Sequence, residues 1–286
     1  MLEALIKAGF SITATWPVRT EMSNRTIATG TNALTSSIIL VCRPRSQSAP
    51  IVTGDRFRAE LVSFLPNVLK NLYSQNIPPV DLSQACIGAG MVVFSRYEKI
   101  IESDGTCMSV RAALQAIAEI SNAFAAALET EFDSETRWVL GWFEKYKFNQ
   151  GLLTEAEILC KAKHTSIQKL IAAGLISLQG DKVRLLKREE LVFSKEENDF
   201  GKESIWKVTQ YLIQVLDKNG EKSAAELLSR FCLSFAKLIR LLAYRLYDIC
   251  DKKGCRGESI FYNRLVSSVM GNVLSITHHR FFTYNE

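Results

Sequence analysis

A chain of 286 residues, 47% hydrophobic and 23% charged, carries enough apolar material for one large core or two smaller ones, which excludes an intrinsically disordered composition. Its formal charge of +5 permits nucleic-acid binding without arguing for it, so the placement of the cations matters more than their total. No run approaches the roughly 20 apolar residues that a bilayer-spanning helix needs, and the first ten residues carry Glu3 and no small-residue cleavage pattern; the expectation is a cytoplasmic chain without a membrane partner.

Seven cysteines stand at Cys42, Cys86, Cys107, Cys160, Cys232, Cys250 and Cys255, with three histidines in the whole chain. None of the pairs has zinc-knuckle spacing, and an odd, irregular set fits free thiols in a reducing compartment. No metal site is expected. Glycine-rich phosphate loops and nucleophile elbows are absent as well. Cys160 and His164 lie four apart, but the helix between them breaks and no orienting acid follows, so no catalytic pair is expected there. His278-His279 reads as part of a solvated tail.

In chain order, Leu2, Leu5 and Ile6 share a helical face that Gly9 closes. Phe10, Ile12, Ala14 and Trp16 alternate with polar residues as a half-buried strand does, and Pro17 is expected to end it. After a polar loop from Thr20 to Thr35, the apolar run Ile38 to Cys42 reads as a strand covered on both faces. A short helix and two strands cannot bury themselves alone, so residues 1–50 are expected to be the end of a larger sheet domain.

Asp55 to Tyr73 reads as one helix or two, depending on Pro66. Ile77-Pro78-Pro79 reads as an extended connector, and Gly88, Gly90 and Met91 to Phe94 as a turn into a short strand. From an N-cap at Ser109, Val110, Leu114, Ile117, Ile120, Phe124 and Leu128 keep helical spacing. Asp133 caps the next helix, whose Trp138 and Trp142 lie four apart and belong to a core; a base-stacking role is the less favoured reading. Thr154 and Glu157 have capping-box spacing. A break at His164, a second helix from Thr165 or Ser166 to Gly174, and a hairpin turning at Gln179 to Lys182 follow. That order is the order of a winged helix-turn-helix. Beyond a linker at Ser194 to Lys202, helices are expected at Ile205 to Leu216, Ala224 to Cys232, Phe235 to Tyr247 and Ile260 to Val269.

Several blocks resemble a known family. Ala8-Gly9-Phe10, Thr13-Ala14-Thr15-Trp16-Pro17, Thr20-Glu21, Asn24-Arg25, Gly30 to Leu34, Ser36-Ser37-Ile38 and Val41-Cys42-Arg43 come first. Ile87 to Met91, Phe94 to Tyr97, Lys163 to Ser166, Lys182 to Leu186 and Leu242 to Tyr247 follow in order. Together they resemble the late part of the adenine-specific DNA methylase family of phage-defence islands, whose members carry an N-terminal domain of unknown function and often a zinc ribbon. The tail after Val266 departs from that pattern.

The elements in order, together with the resemblance at residues 1–50, imply an α+β, predominantly helical chain: a terminal fragment of a Rossmann-like methyltransferase sheet (1–50), a helical connector (51–150), a winged-helix-like segment (151–192) and a helical C-terminal region (203–286). The resemblance implies the accessory or target-recognition part of a site-specific adenine DNA methyltransferase in which S-adenosylmethionine belongs to the complete enzyme. The Asp-Pro-Pro-Tyr and glycine-rich cofactor loops are expected upstream of Met1, so this chain by itself is expected to hold no cofactor and no catalytic residue. The partners implied are double-stranded DNA and either an upstream methyltransferase domain or a separately encoded catalytic subunit. Thr20, Glu21, Arg25, Asn32, Ser36 and Ser37 would line the cleft or DNA path, unless they serve only the loop's own backbone. Lys161, Lys163, His164, Lys169, Lys182, Arg184, Lys187 and Arg188, set against Glu155, Glu157 and Asp181, would hold phosphates, unless they form a solvated helix face and a protein-docking wing. The alternative is a non-catalytic DNA-binding or protein-interaction module that works with a separate methyltransferase subunit.

Overall fold

The computed structural model describes residues 1–19, 36–75, 77–193 and 203–270. The Thr20 to Thr35 loop, with candidate residues Thr20, Glu21, Arg25 and Asn32, lies outside the described residues, as do the run Ser194 to Lys202 and His278-His279. The chain divides into two compact units, Met1–Ala127 and Leu128–Glu286. The described fold is α+β and predominantly helical, with about 65% helix and 14% strand.

In the first unit, helix α1 (Leu2–Lys7) leads into an antiparallel pair, β1 (Phe10–Arg19) and β2 (Ser36–Pro44), in which Trp16 faces Ile39. The register shifts between Ile12 and Ala14. Pro17 does not end β1, which continues to Arg19 with Pro17 opposite Ile38; a two-stranded pair is all edge, where a missing N–H is tolerated. The run Ile38 to Cys42 is not covered on both faces either. Helix α3 (Pro79–Phe94) covers one side, where a Cβ on Gly88 would stand 2.9 Å from Thr15 Oγ1 and Ser95 Oγ accepts Ile12 N at 2.7 Å. On β2, Ile39 remains 46% exposed.

α3 takes the place of the expected turn and strand and starts at Pro79, the connector's last residue, while Pro78 stays extended. Pro79 occupies the first helical turn, where its missing N–H costs nothing. Gly90 admits Ile117 of α4 (Val110–Leu128) so closely that a Cβ there would lie 2.4 Å from Ile117 Cδ1. Leu82, Ala85, Met91, Val93 and Phe94 are all buried. A helix buried nearly all round loses its polar stripe, and its apolar run then imitates a strand. Helix α2 (Gly54–Ser74) is continuous through Pro66 and buries Phe57, Leu61, Leu65, Leu69 and Leu72, a face repeating every three to four residues. The strand before α2, β3 (Ile51–Thr53), pairs in parallel with β4 (Lys99–Ile101), which follows α3 in the chain.

The second unit opens with α5 (Ser134–Tyr146), whose Trp138 and Trp142 are buried and stacked with centroids 5.1 Å apart. The sequence expectation of core aromatics holds. Then come β5 (Gly151–Leu152), α6 (Leu153–Lys163), α7 (Ile167–Ala172), β6 (Ile176–Gln179) and β7 (Lys182–Leu185), with a sheet order β5-β7-β6. A bundle completes the unit: α8 (Ile205–Leu228), α9 (Leu233–Lys252), α10 (Arg256–Arg264) and a π-helical segment, Leu265–Met270. Gly220, at φ 84° and ψ 178°, breaks α8 between the two stretches that the sequence reads as separate helices. Trp206, Leu212, Leu216, Leu242, Leu246 and Tyr262 form the bundle's core, each worth about 1.5–3 kcal/mol when an apolar side chain of this size is fully buried.

Candidate nucleic-acid interface

The cations singled out in the sequence all sit between α6 and the residues just after β7. Their placement starts with Asp133, whose Oδ1 accepts Thr136 N at 2.7 Å and caps α5 as expected. Trp138 Nε1 donates to Ala156 O at 3.2 Å, which ties α6 to α5. The expected capping box at Thr154 and Glu157 does not open α6. The helix starts at Leu153 directly from β5, and Leu153 N donates to Asp181 O at 2.7 Å, so the hairpin tip satisfies an amide that a side chain would otherwise cap.

α6 ends where predicted. His164 adopts φ 58°, ψ 45°, the left-handed region, which histidine tolerates better than most residues. Ser166 then caps α7, accepting Lys169 N at 3.3 Å. The hairpin closes on Gly180 and Asp181, with Gln179 opposite Lys182 and Gly180 at φ 61°. Strand β5 was not legible: two residues are too few to show a period. Across β7 it pairs Gly151 with Val183 and Leu152 with Lys182.

The eight candidate cations separate into two groups. Lys161, His164, Lys169, Lys182 and Lys187 are exposed and Lys163 is half-buried. Arg184 is bound internally, donating from Nη1 and Nη2 to the two carboxylate oxygens of Glu190, each at 2.7 Å. Arg188 is only 9% exposed and donates to Gln210 Oε1 at 3.0 Å and Glu258 Oε2 at 2.8 Å. A guanidinium held there is a structural cation, not one free to meet a phosphate. The Arg184 bond, aided by the Lys187 amide, holds the Glu190 carboxyl down to about 2.

Their surroundings differ too. Lys169 borders a cleft of about 650 Å³ together with Glu131, Asp133, Glu135 and Glu203, an acidic setting that repels phosphate. Lys187 and Arg184 border another, of about 570 Å³, with Lys147, Asn149, Gln150 and Glu190. Exposed apolar side chains lie among these cations: Leu152, Leu178, Ile171 and Ile158, the last at 67%. Of the loop candidates, the β2 backbone includes Ser36 and Ser37, and Ser37 is exposed.

Burial pushes the Cys160 thiol up to about 11, which favours its protonated form at neutral pH. Among the described residues, no group of three or more His, Cys, Asp or Glu side chains could hold a metal ion, and no helix is long and apolar enough to cross a membrane.

A family model described as a domain of unknown function, DUF8807, matches residues 133–277, just over half of the chain. That span contains every candidate cation. No curated protein and no solved structure matches the chain.

Proposed function

This chain belongs to the DUF8807 family of domains of unknown function, and we propose that its residues 134–185 act as a winged helix-turn-helix that holds double-stranded DNA by its phosphates. The observation that carries this reading is the sheet order β5-β7-β6, with the two-residue strand between α5 and α6 pairing across the last strand of the hairpin. Helix, short strand, helix, helix, hairpin, with that strand order, fits such a module. Lys161, Lys163 and His164 at the end of α6, with Lys182 at the hairpin tip and Lys187 after it, supply the phosphate contacts. Lys169, among carboxylates, contributes little.

The ordered sequence blocks support a place for this module beside an adenine DNA methyltransferase, as its non-catalytic accessory or target-recognition part. On that reading S-adenosylmethionine and the transferred methyl group belong to the catalytic segment, whether an upstream domain or a separate subunit. The uncovered side of the β1–β2 pair, where Trp16 is 58% exposed, supports a pair completed by further structure. Calorimetric titration of this chain with S-adenosylmethionine is expected to give no heat of tight binding; micromolar affinity overturns the non-catalytic assignment.

DNA binding is tested by anisotropy of a labelled duplex against the whole chain over a salt series. Replacing Lys161, Lys163 and Lys182 together with alanine is expected to weaken binding and to flatten the salt slope by about one for each phosphate that is no longer neutralised. Unchanged affinity and slope overturn the DNA reading. Exposed Ile158 and Ile171 favour a second reading, a protein-docking face; an Ile158→Ser variant that keeps DNA affinity but loses a methyltransferase subunit in co-purification selects it.

A further inference from the structure

Three helices of the second unit end in the same left-handed corner, in which the amide two residues past the cap donates back to a carbonyl in the last turn. Thr165 N donates to Cys160 O at 3.0 Å after α6, Leu175 N to Leu170 O at 3.0 Å after α7, and Cys255 N to Cys250 O at 2.7 Å after α9. At the last of these Gly254, at φ 69°, takes the left-handed position and donates to Asp251 O at 3.2 Å. In such corners the side chains at the two ends of the long bond meet, and a hydrophobic contact commonly forms there. Leu170 and Leu175, both fully buried, make the ordinary version after α7. After α9 the same two places hold Cys250 and Cys255.

We propose that Cys250 and Cys255 form a redox-active dithiol, which a low-molecular-weight disulfide oxidises to an intramolecular bridge that clamps the α9–α10 corner. With a 2.7 Å bond between amide and carbonyl, standard bond lengths hold the two Cα atoms no more than about 6.6 Å apart. A disulfide spans about 4.4–6.8 Å between Cα atoms, so the separation at this corner stays within its reach. The Cys255 thiol donates to Lys253 O at 3.9 Å, inside the same corner, and lies near enough to add an electrostatic rise to the one that burial gives the Cys250 thiol. Their exposures assign the roles: Cys255 is partly exposed and Cys250 is fully buried.

The chemistry runs in two exchanges. Cys255 Sγ, as thiolate, attacks one sulfur of the small disulfide, forming a mixed disulfide and releasing one thiolate. Cys250 Sγ then loses its proton to solvent and attacks Cys255 Sγ, expelling the second small thiolate, which takes up a proton. In sum, two protein thiols and one small disulfide become one protein disulfide and two small thiols. Burial pushes the Cys250 thiol well up, which slows its attack at neutral pH. Its confinement beside Cys255 offsets this, because a tethered partner acts at an effective concentration of millimolar or more. Lys147 Nζ, which donates to Lys253 O at 3.3 Å, also places a cation beside the pair. The bridge ties the end of α9 to Cys255, the residue from which α10 starts, three residues before Glu258 and its bond to Arg188.

Whole-chain protein is incubated with about 0.1 mM oxidised glutathione, at which the tethered thiol outcompetes a second glutathione, then alkylated and digested with trypsin. Cleavage at Lys252 and Lys253 separates the two cysteines, so a bridge is read as two joined peptides. The joined Cys250 and Cys255 peptides are expected to exceed Cys255 carrying glutathione more than about tenfold, while Cys42, Cys107 and Cys232 end as mixed disulfides or alkylated thiols. Cys255→Ser is expected to leave Cys250 reduced and free of glutathione. The proposal is overturned if Cys255 retains glutathione while Cys250 is alkylated, if both stay reduced, or if another pair of cysteines bridges first.

Discussion

Asp133 and Ile205, 72 residues apart, are joined by a single hydrogen bond in which Asp133 Oδ2 accepts Ile205 N at 3.0 Å. The same carboxylate caps α5 through Thr136 N, and Thr136 Oγ1, which donates to Asp133 Oδ2 at 2.7 Å, accepts Trp206 N at 3.0 Å. One side chain therefore serves the first turns of two helices. Asp133→Ala removes a cap and leaves the Ile205 amide without its acceptor, an expected loss of roughly 2–4 kcal/mol. Asp133→Asn, which keeps one acceptor oxygen, is expected to lose about half as much. Urea unfolding midpoints check both; equal midpoints for Asp133→Ala and the wild type contradict the shared cap.

A similar long-range bond holds the chain after the hairpin. Arg188 joins Glu258 at 2.8 Å and Gln210 at 3.0 Å, and Gln210 Nε2 donates to Tyr262 Oη at 3.2 Å. Removing one partner of a buried pair strands the other, so Arg188→Ala is expected to cost roughly 2–4 kcal/mol, discounted because Glu258 keeps some exposure. Since Arg188 does not face a phosphate, duplex affinity measured at a temperature where the variant is folded is expected to stay unchanged. A selective loss of affinity with stability intact returns Arg188 to the DNA-binding set.

The Arg184–Glu190 pair makes a pH-dependent contribution whose sign follows from Glu190. Its folded-state carboxyl is lowered from 4.5 to about 2, first by the Arg184 hydrogen bond. Folded protein therefore binds fewer protons than unfolded protein between these values. The pair's stabilisation is fully present above the unfolded value and is lost as pH falls through about 2. Glu190 is more than one-third exposed, so solvent screening limits the effect to less than about 1 kcal/mol. Glu190→Gln is expected to flatten this part of the stability profile. Melting temperatures from pH 6 down to 2 that fall equally in both proteins count against it.

Gly151 is required by its neighbours, not by its backbone angles. A Cβ there would stand 2.7 Å from Trp142 Cζ2 and 2.9 Å from Tyr146 Cε2. Trp142 cannot give way easily because it is stacked on Trp138 and also contacts Tyr146, 4.5 Å between centroids. Gly151→Ala is expected to cost roughly 1–3 kcal/mol, as overpacking of a filled core does, and to weaken the β5–β7 pairing. Amide exchange at Leu153, whose N–H is bonded to Asp181 O, is expected to quicken; an unchanged rate argues that β5 is held by other means.

Features set by neighbours within about five residues were legible in the sequence. The Asp133 cap, the break at His164, a helix opening at Thr165 or Ser166, the turn at Gly180-Asp181 and the core aromatics at Trp138 and Trp142 all follow from local backbone geometry and helical period. Only tertiary structure decided the rest. Residues 88–94 became helix because burial on all sides, not a pleated neighbour, claimed their apolar run. Arg184 and Arg188 read as phosphate ligands until Glu190 and Glu258 arrived to hold them. Cys250 and Cys255, five residues apart, are a local exception: the left-handed corner at Gly254 that joins their backbones was not foreseen from the sequence. A sequence records which charges and thiols the chain carries; their chemistry depends on what stands a few ångströms away, and long-range packing sets that distance.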